Sequence, residues 1–258
     1  MSALRRLVHR AARRAAAGAP AGVREAALAL AARAGDGPAL LPGPPPGPVL
    51  IIAPHPDDET IGAGGALARH AERGDVVTVL VATSGERTRG GAGDVAAARE
   101  AECRAACADL GVAPPVFLRL RDGRLSDDAE RLCAAILTHG SDAAVIYAPS
   151  PLDPHRDHRA ANTALAAIDI GEAEIYGYEV WSAGPIDVVL DVGEAYARKE
   201  QALRRYSTAL DSVDYVRAAR GLAAYRSVAG GLRGQGLAEG FIRLSTEEHR
   251  RLVAMSQS

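Results

Sequence analysis

One stretch constrains this chain more than any other: VLIIAP (residues 49–54), an apolar run that breaks directly into HPDDE (55–59). The run shows no alternation of polar and apolar side chains, so it fits a strand covered on both faces, as in a parallel sheet between two layers of helices. The rest of the chain repeats that pattern. Strand-like segments at 76–83, 115–120, 143–150, 174–181 and 186–192 alternate with helical segments at 61–74, 94–111, 127–140, 155–169 and 195–207. Glycines at 74 and 111 stop two of the helices. A β-α-β-α order predicts an α/β fold of three layers, α/β/α, with a mostly parallel sheet. In such sheets the site lies beyond the carboxyl ends of the strands, which is where HPDDE leaves the first one.

The chain of 258 residues divides unevenly. Residues 1–34 are rich in Ala and Arg and predict two short helices, and GDGPALLPGPPPGP (35–48) predicts a linker that is neither helix nor strand. We therefore expect an appendage over 1–46 and a compact domain over 47–258. A net charge of −2 without a long basic run argues against nucleic acid as a partner, and 4% aromatic residues argue against stacking platforms for bases. No apolar run reaches the roughly 18 residues of a membrane span, and arginines interrupt the start of the chain where a signal peptide needs apolar residues. The three cysteines show no CxxC spacing, and Cys103 and Cys107 share one helix face, as expected of core thiols in a reducing compartment. Cytoplasmic localisation is the expectation.

Four polar side chains after a buried strand are costly unless something gathers them. His55 and Asp58 are three apart, so in a chain turning into a helix they reach the same ion while Asp57 projects elsewhere. A catalytic zinc keeps about three protein ligands and one position for water. Another ligand can come from APSPLDPHRDHRAAN (148–162), which also follows an apolar strand, opens a helix and carries His155, Asp157 and His158.

Taken together, PHPDDE after the first strand and HRDH after the fourth resemble the PIG-L/LmbE-like zinc-dependent N-deacetylases. The resemblance runs over about 48–258 and includes ATSGE (82–86), AREAECRAACADLGV (98–112), LRDGRL (120–125), YEVW (178–181) and LAEGF (237–241). It implies a Rossmann-like fold of the LmbE type. It implies His55, Asp58 and His158 as ligands of one Zn2+ per chain, or of another divalent metal. Asp57 takes the position of the general base. His155 takes that of a histidine that stabilises the oxyanion or protonates the leaving amine, Asp157 that of its carboxylate partner, and Arg99 that of a substrate- or acetate-binding arginine. The expected reaction is removal of an N-acetyl or other acyl group from a small-molecule amino sugar or its conjugate. Oligomers occur in the family, so a homo-oligomer is compatible. The chain departs from the family in its N-terminal arm and in Leu237, where a tyrosine is common.

Simpler roles compete for these residues. Asp57 or Asp58 could cap the following helix, Asp157 could cap the helix over 158–168, and Arg99 could pair with Glu102 on a solvated face. Glu59 fits a supporting acid near the ligands, Trp181 a pocket wall, and loop 87–94 either a lip over the substrate or a linker. His9, His70, His139 and His249 receive no role. Other chemistries fit poorly. GAGG (62–65) would need glycine at 67, where Leu67 stands, and ATSGE is not the G-x-S-x-G of a serine hydrolase. Adjacent Asp57 and Asp58 cannot flank a glycosidic bond at the roughly 5 Å separation that chemistry requires. A catalytically silent metal-containing sugar-binding protein and a zinc amidase for a non-sugar amide stand as alternatives.

Overall fold

A computed structural model of the chain describes residues 37–87 and 94–257. The expected helices of the arm and most of loop 87–94 lie outside the described residues. The described strands are β1 (Ala39–Leu41), β2 (Val49–Ala53), β3 (Val77–Thr83), β4 (Val116–Leu120), β5 (Val145–Pro149), β6 (Glu174–Tyr178), β7 (Val188–Asp191) and β8 (Ala238–Leu244). The helices are α1 (Asp58–Arg73), α2 (Val95–Leu110), α3 (Ala129–Gly140), α4 (Arg156–Ala167), α5 (Tyr196–Leu203), α6 (Ser207–Leu210), α7 (Tyr215–Arg226) and α8 (Thr246–Gln257). Among the described residues, no helix is long and apolar enough to cross a membrane.

All strands join one sheet in the order β1-β7-β8-β6-β5-β2-β3-β4. Every pairing is parallel except those of β8 with β6 and β7. The chain runs from β2 outward through β3 to β4, then returns to place β5 on the other side of β2. Connections therefore leave β2 and β5 in opposite directions, and this switch point opens a crevice at their carboxyl ends. HPDDE leaves β2 and HRDH follows β5, so the topology alone brings the two motifs together.

β2 shows why its run lacks alternation. Val49, Ile51 and Ala53 pack into a core with Leu67, Cys103, Cys107 and Leu110, on the side of α1, α2 and α5. Leu50 and Ile52 pack on the opposite face with Leu132, Ile136, Leu165 and Leu252, on the side of α3, α4 and α8. Both faces are covered, and each fully buried Leu or Ile contributes about 1.5–3 kcal/mol. Cys103 and Cys107 are buried thiols of this core, as expected.

One segment differs from the reading of the sequence. Ala39–Leu41, inside the presumed linker, pairs in parallel with Val188–Leu190 at the sheet edge. A three-residue edge strand tolerates flanking prolines that a central strand would not. The GAGG stretch lies within α1 and serves packing. A Cβ on Gly62 would sit 2.1 Å from Cδ2 of Tyr178, so only glycine lets α1 lie this close to β6. Part way along α1, the amides of Gly65 and Ala66 donate to the buried carboxylate of Glu239, which also accepts from Lys199 Nζ at 2.6 Å.

Candidate metal and catalytic centre

The turn from β2 into α1 aims two adjacent acids in different directions. Asp57 adopts φ 121°, ψ −28°, an uncommon conformation for a residue with a side chain. Its carbonyl accepts from Thr60 N and Ile61 N at 3.0 and 2.8 Å, so its backbone caps the helix while its side chain makes no capping bond. The carboxylate is taken instead by Arg99 on α2, whose Nη2 donates to Asp57 Oδ2 at 3.0 Å and to Pro56 O at 2.5 Å. Arg99 is buried, which rules out the solvated pairing with Glu102. Glu102 accepts instead from Ser207 and Thr208.

Asp58 points inward. Its Oδ2 accepts from His55 N at 2.9 Å and lies 3.0 Å from His55 Nδ1. The same oxygen lies 3.2 Å from Nε2 of His158, which reaches it from α4. Three donor atoms from two distant segments thus converge on one point. His158 is fully buried, and neither ring nitrogen makes a hydrogen bond of good geometry. Its Nδ1 faces Asp153 Oδ1 at 3.3 Å, the arrangement that orients a metal-binding imidazole. A buried pair of imidazoles around one carboxylate, with an Nε2 lacking a bonded partner, fits a divalent cation.

Two other donor sets at this centre compete. His55, Asp122 and Asp157, and separately His55, His155 and His158, offer one ligand atom each within 4.8 Å of one another. The three imidazole rings cluster, with centroids 4.8–5.6 Å apart. The set containing Asp58 pairs two imidazoles with one carboxylate, a donor mix suited to zinc, so we favour it on chemical grounds.

Electrostatics separate the two acids. Burial raises Asp58, but His158 and His55 outweigh it and hold the carboxyl well below its usual range. Burial also raises Asp57; Arg99 opposes it, neighbouring Asp58 adds to it, and the group is pushed up to about 7. Burial lowers His158, but Asp58 and Asp153 outweigh it and carry it up to about 9. A metal ion would take the place of the protons that these imidazoles hold.

The structure corrects one expected pairing. Asp157 does not hold the ring of His155. Its Oδ2 lies 3.1 Å from His55 Nε2 and accepts from Gly123 N at 2.7 Å, and its Oδ1 accepts from Leu125 N at 3.1 Å. Nor is Asp157 the cap of α4: His155 holds that position, and its Nδ1 accepts from Asp157 N at 3.3 Å. Nε2 of His155 is then the nitrogen left to carry a proton. Burial lowers His155, helped by its neighbours His55 and His158, so the ring favours the neutral form.

His55, Asp57, Asp58, Arg99 and His155 line a cavity of about 460 Å³. Trp181 walls it, 55% exposed and stacked on His155 with ring centroids 5.7 Å apart at 12°. Several contributors were not read from the sequence. Asp153 and Asp122 back the imidazoles, with Asp122 Oδ1 3.5 Å from His55 Nε2. Tyr215 lines the cavity from α7. Asp122 lies inside the LRDGRL motif and Asp153 just ahead of HRDH, so position relative to the motifs was the available signal.

A model of the PIG-L family, described as GlcNAc-PI de-N-acetylase, matches residues 50–168. A 1D-myo-inositol 2-acetamido-2-deoxy-alpha-D-glucopyranoside deacetylase of Rhodococcus erythropolis is 33% identical over 169 residues, 52% of this chain and 58% of that protein. An uncharacterised deacetylase of Escherichia coli is 30% identical over 171 residues, 62% of this chain and 90% of that protein. Among solved structures, an N,N'-diacetylchitobiose deacetylase from Pyrococcus horikoshii, crystallised with an inhibitor, superposes with a TM-score of 0.64 at 22% identity. That match covers 77% of this chain and 84% of the other. The chain thus spans less than two thirds of the Rhodococcus deacetylase and nearly all of the Escherichia coli one.

Proposed function

This chain belongs to the PIG-L family, and on that premise we propose that it is a zinc-dependent hydrolase that removes an N-acyl group, in the first place acetyl, from an amino sugar or amino-sugar conjugate. The observation that carries the reading is the convergence of His55 Nδ1 and His158 Nε2 on Asp58 Oδ2, at 3.0 and 3.2 Å, beside an uncoordinating Asp57. His55, Asp58 and His158 are the residues that would hold the ion. When bound, zinc polarises the amide carbonyl and lowers the pKa of water to about 7.

The chain's own residues supply the rest. Asp57, buried and held by Arg99, accepts the proton of the attacking water as general base. Its raised pKa keeps it a competent proton acceptor near neutrality. His155, with Nδ1 occupied by Asp157 N, presents Nε2–H to the oxygen on which negative charge develops. One such donor is worth about 3 kcal/mol to the transition state. Arg99 orients Asp57, and Trp181 offers a flat apolar wall suited to the C–H face of a sugar ring.

The test is zinc content and acetate release for the wild type and Asp57→Asn with N-acetylated amino sugars. The variant should keep zinc and lose turnover. Full activity of Asp57→Asn would remove the base assignment. Zinc retention without acetate release from any substrate by the wild type would favour the silent sugar-binding alternative.

A further inference from the structure

Two adjacent acids with different duties must point in different directions, and α1 begins with that conflict. Asp58 faces the imidazoles, whereas the Asp57 carboxylate turns toward Arg99 by virtue of its backbone at φ 121°. Such a conformation persists only where the surroundings over-determine it. Its carbonyl is held by the first turn of α1, and its N–H donates to Oε2 of Glu59 at 3.2 Å. Glu59 is fully buried. Its other oxygen, Oε1, accepts from Thr60 Oγ1 at 2.6 Å and from the hydroxyl of Tyr206. Tyr206 is buried too and comes from the turn between α5 and α6, 147 residues along the chain from Glu59. A remote element therefore fixes the carboxylate that fixes the Asp57 amide.

We infer that Glu59 and Tyr206 form a positioning pair that holds Asp57 in its strained turn, so that its carboxylate meets the reacting water while Asp58 stays on the metal. The inference rests on the proposed role of Asp57 as base. Neither member lines the cavity, and both act through the Asp57 backbone. The geometry discriminates between replacements. Glutamine at 59 can turn its oxygen to the Asp57 N–H and its amide to the hydroxyls of Thr60 and Tyr206, which can accept. Methionine fills the same space with no acceptor for that N–H. Phenylalanine at 206 removes the remote anchor alone.

The experiment uses the zinc-loaded full chain in four forms: wild type, Glu59→Met, Glu59→Gln and Tyr206→Phe. Zinc content, kcat and KM for acetate release, and amide hydrogen exchange at Asp57 by NMR are measured on each. Glu59→Met should keep its zinc and KM, lose kcat by about a hundredfold and exchange the Asp57 amide at least about tenfold faster. Tyr206→Phe should move the same readouts in the same direction by a smaller factor, and Glu59→Gln should stay near wild type. Unchanged exchange at Asp57 in Glu59→Met overturns the inference, as does a kcat loss that tracks zinc loss. If Glu59→Met does not fold, Tyr206→Phe decides on the same readouts. If the wild type releases no acetate, the proposed function fails, while exchange at Asp57 still decides whether Glu59 and Tyr206 hold it.

Discussion

Oδ2 of Asp157 lies 3.1 Å from Nε2 of His55, on the opposite side of the imidazole from Asp58 at Nδ1. Asp157 is itself fixed by the amides of Gly123 and Leu125. A carboxylate in that position sets the tautomer and orientation of a metal-binding ring and raises its basicity. Asp157→Asn should therefore weaken zinc binding about 10–100-fold, measured by competition with a chelator. Wild-type affinity combined with a slower reaction would return Asp157 to the service of His155.

The competing donor sets make opposite predictions. With Asp58 in the metal set, Asp58→Asn should be recovered with little zinc, and His155→Ala should retain it. His155→Ala should lose kcat by about 10²–10³-fold, the usual cost of one oxyanion donor. Zinc loss in His155→Ala with retention in Asp58→Asn would favour the three-histidine arrangement. Metal analysis of the purified variants distinguishes the cases.

Arg99 spans two acceptors, Asp57 Oδ2 and Pro56 O, with one planar guanidinium. Both bonds use Nη2 while Nη1 reaches Gly85 O at 3.4 Å, a span that the single nitrogen of a lysine cannot match. Arg99→Met should keep zinc and lose kcat about a hundredfold, and Arg99→Lys should recover only part of that loss. Steady-state kinetics on both variants check it. An unaltered kcat in Arg99→Met would place Arg99 outside the catalytic machinery.

His249 supplies a stability prediction away from the centre. It is buried on α8, and its Nε2 contacts Asn162 Oδ1 at 2.8 Å. Asn162 in turn donates to Pro149 O and His158 O, tying α4 to the end of β5. Burial, with Arg250 nearby, lowers His249 to about 4. The folded state thus disfavours the protonated ring, and the unfolded chain binds the extra proton between about pH 6.5 and 4. The contribution is complete above the unfolded pKa and is lost as pH falls, about 3 kcal/mol in all. His249→Gln removes the titration and should flatten the urea-unfolding profile between pH 7 and 4 by about that amount. Matching slopes for variant and wild type would contradict it.

Much of the architecture was legible because its central strands are buried on both faces. VLIIA and VIYAP carry no alternation, and each ends in a motif, so a site beyond their carboxyl ends could be read from the chain alone, whereas the strand order that makes them neighbours could not. The edges were harder. Ala39–Leu41 hides among prolines because an edge strand needs only one bonded side. Ala238–Leu244 was noticed only as a motif, although it is the antiparallel strand that binds β7 to β6. Within the site, residue types and spacing pointed to His55 and Asp58, and the resemblance to the family singled out His158 from the His155, Asp157 and His158 of the second motif. The partner of Asp157 did not follow from spacing, since His55 is 102 residues away and the amides that orient Asp157 come from the loop after β4. Likewise, the capping reading of Asp57 could be settled only by its backbone angle and by Arg99 arriving from α2.

The most direct test of the account is anomalous scattering at the zinc absorption edge from crystals of the metal-loaded protein. It should show one ion per chain bonded to His55, Asp58 and His158, with the Asp57 carboxylate close by but outside bonding distance. An ion held by the three histidines without Asp58, or bound away from the ends of β2 and β5, would contradict it.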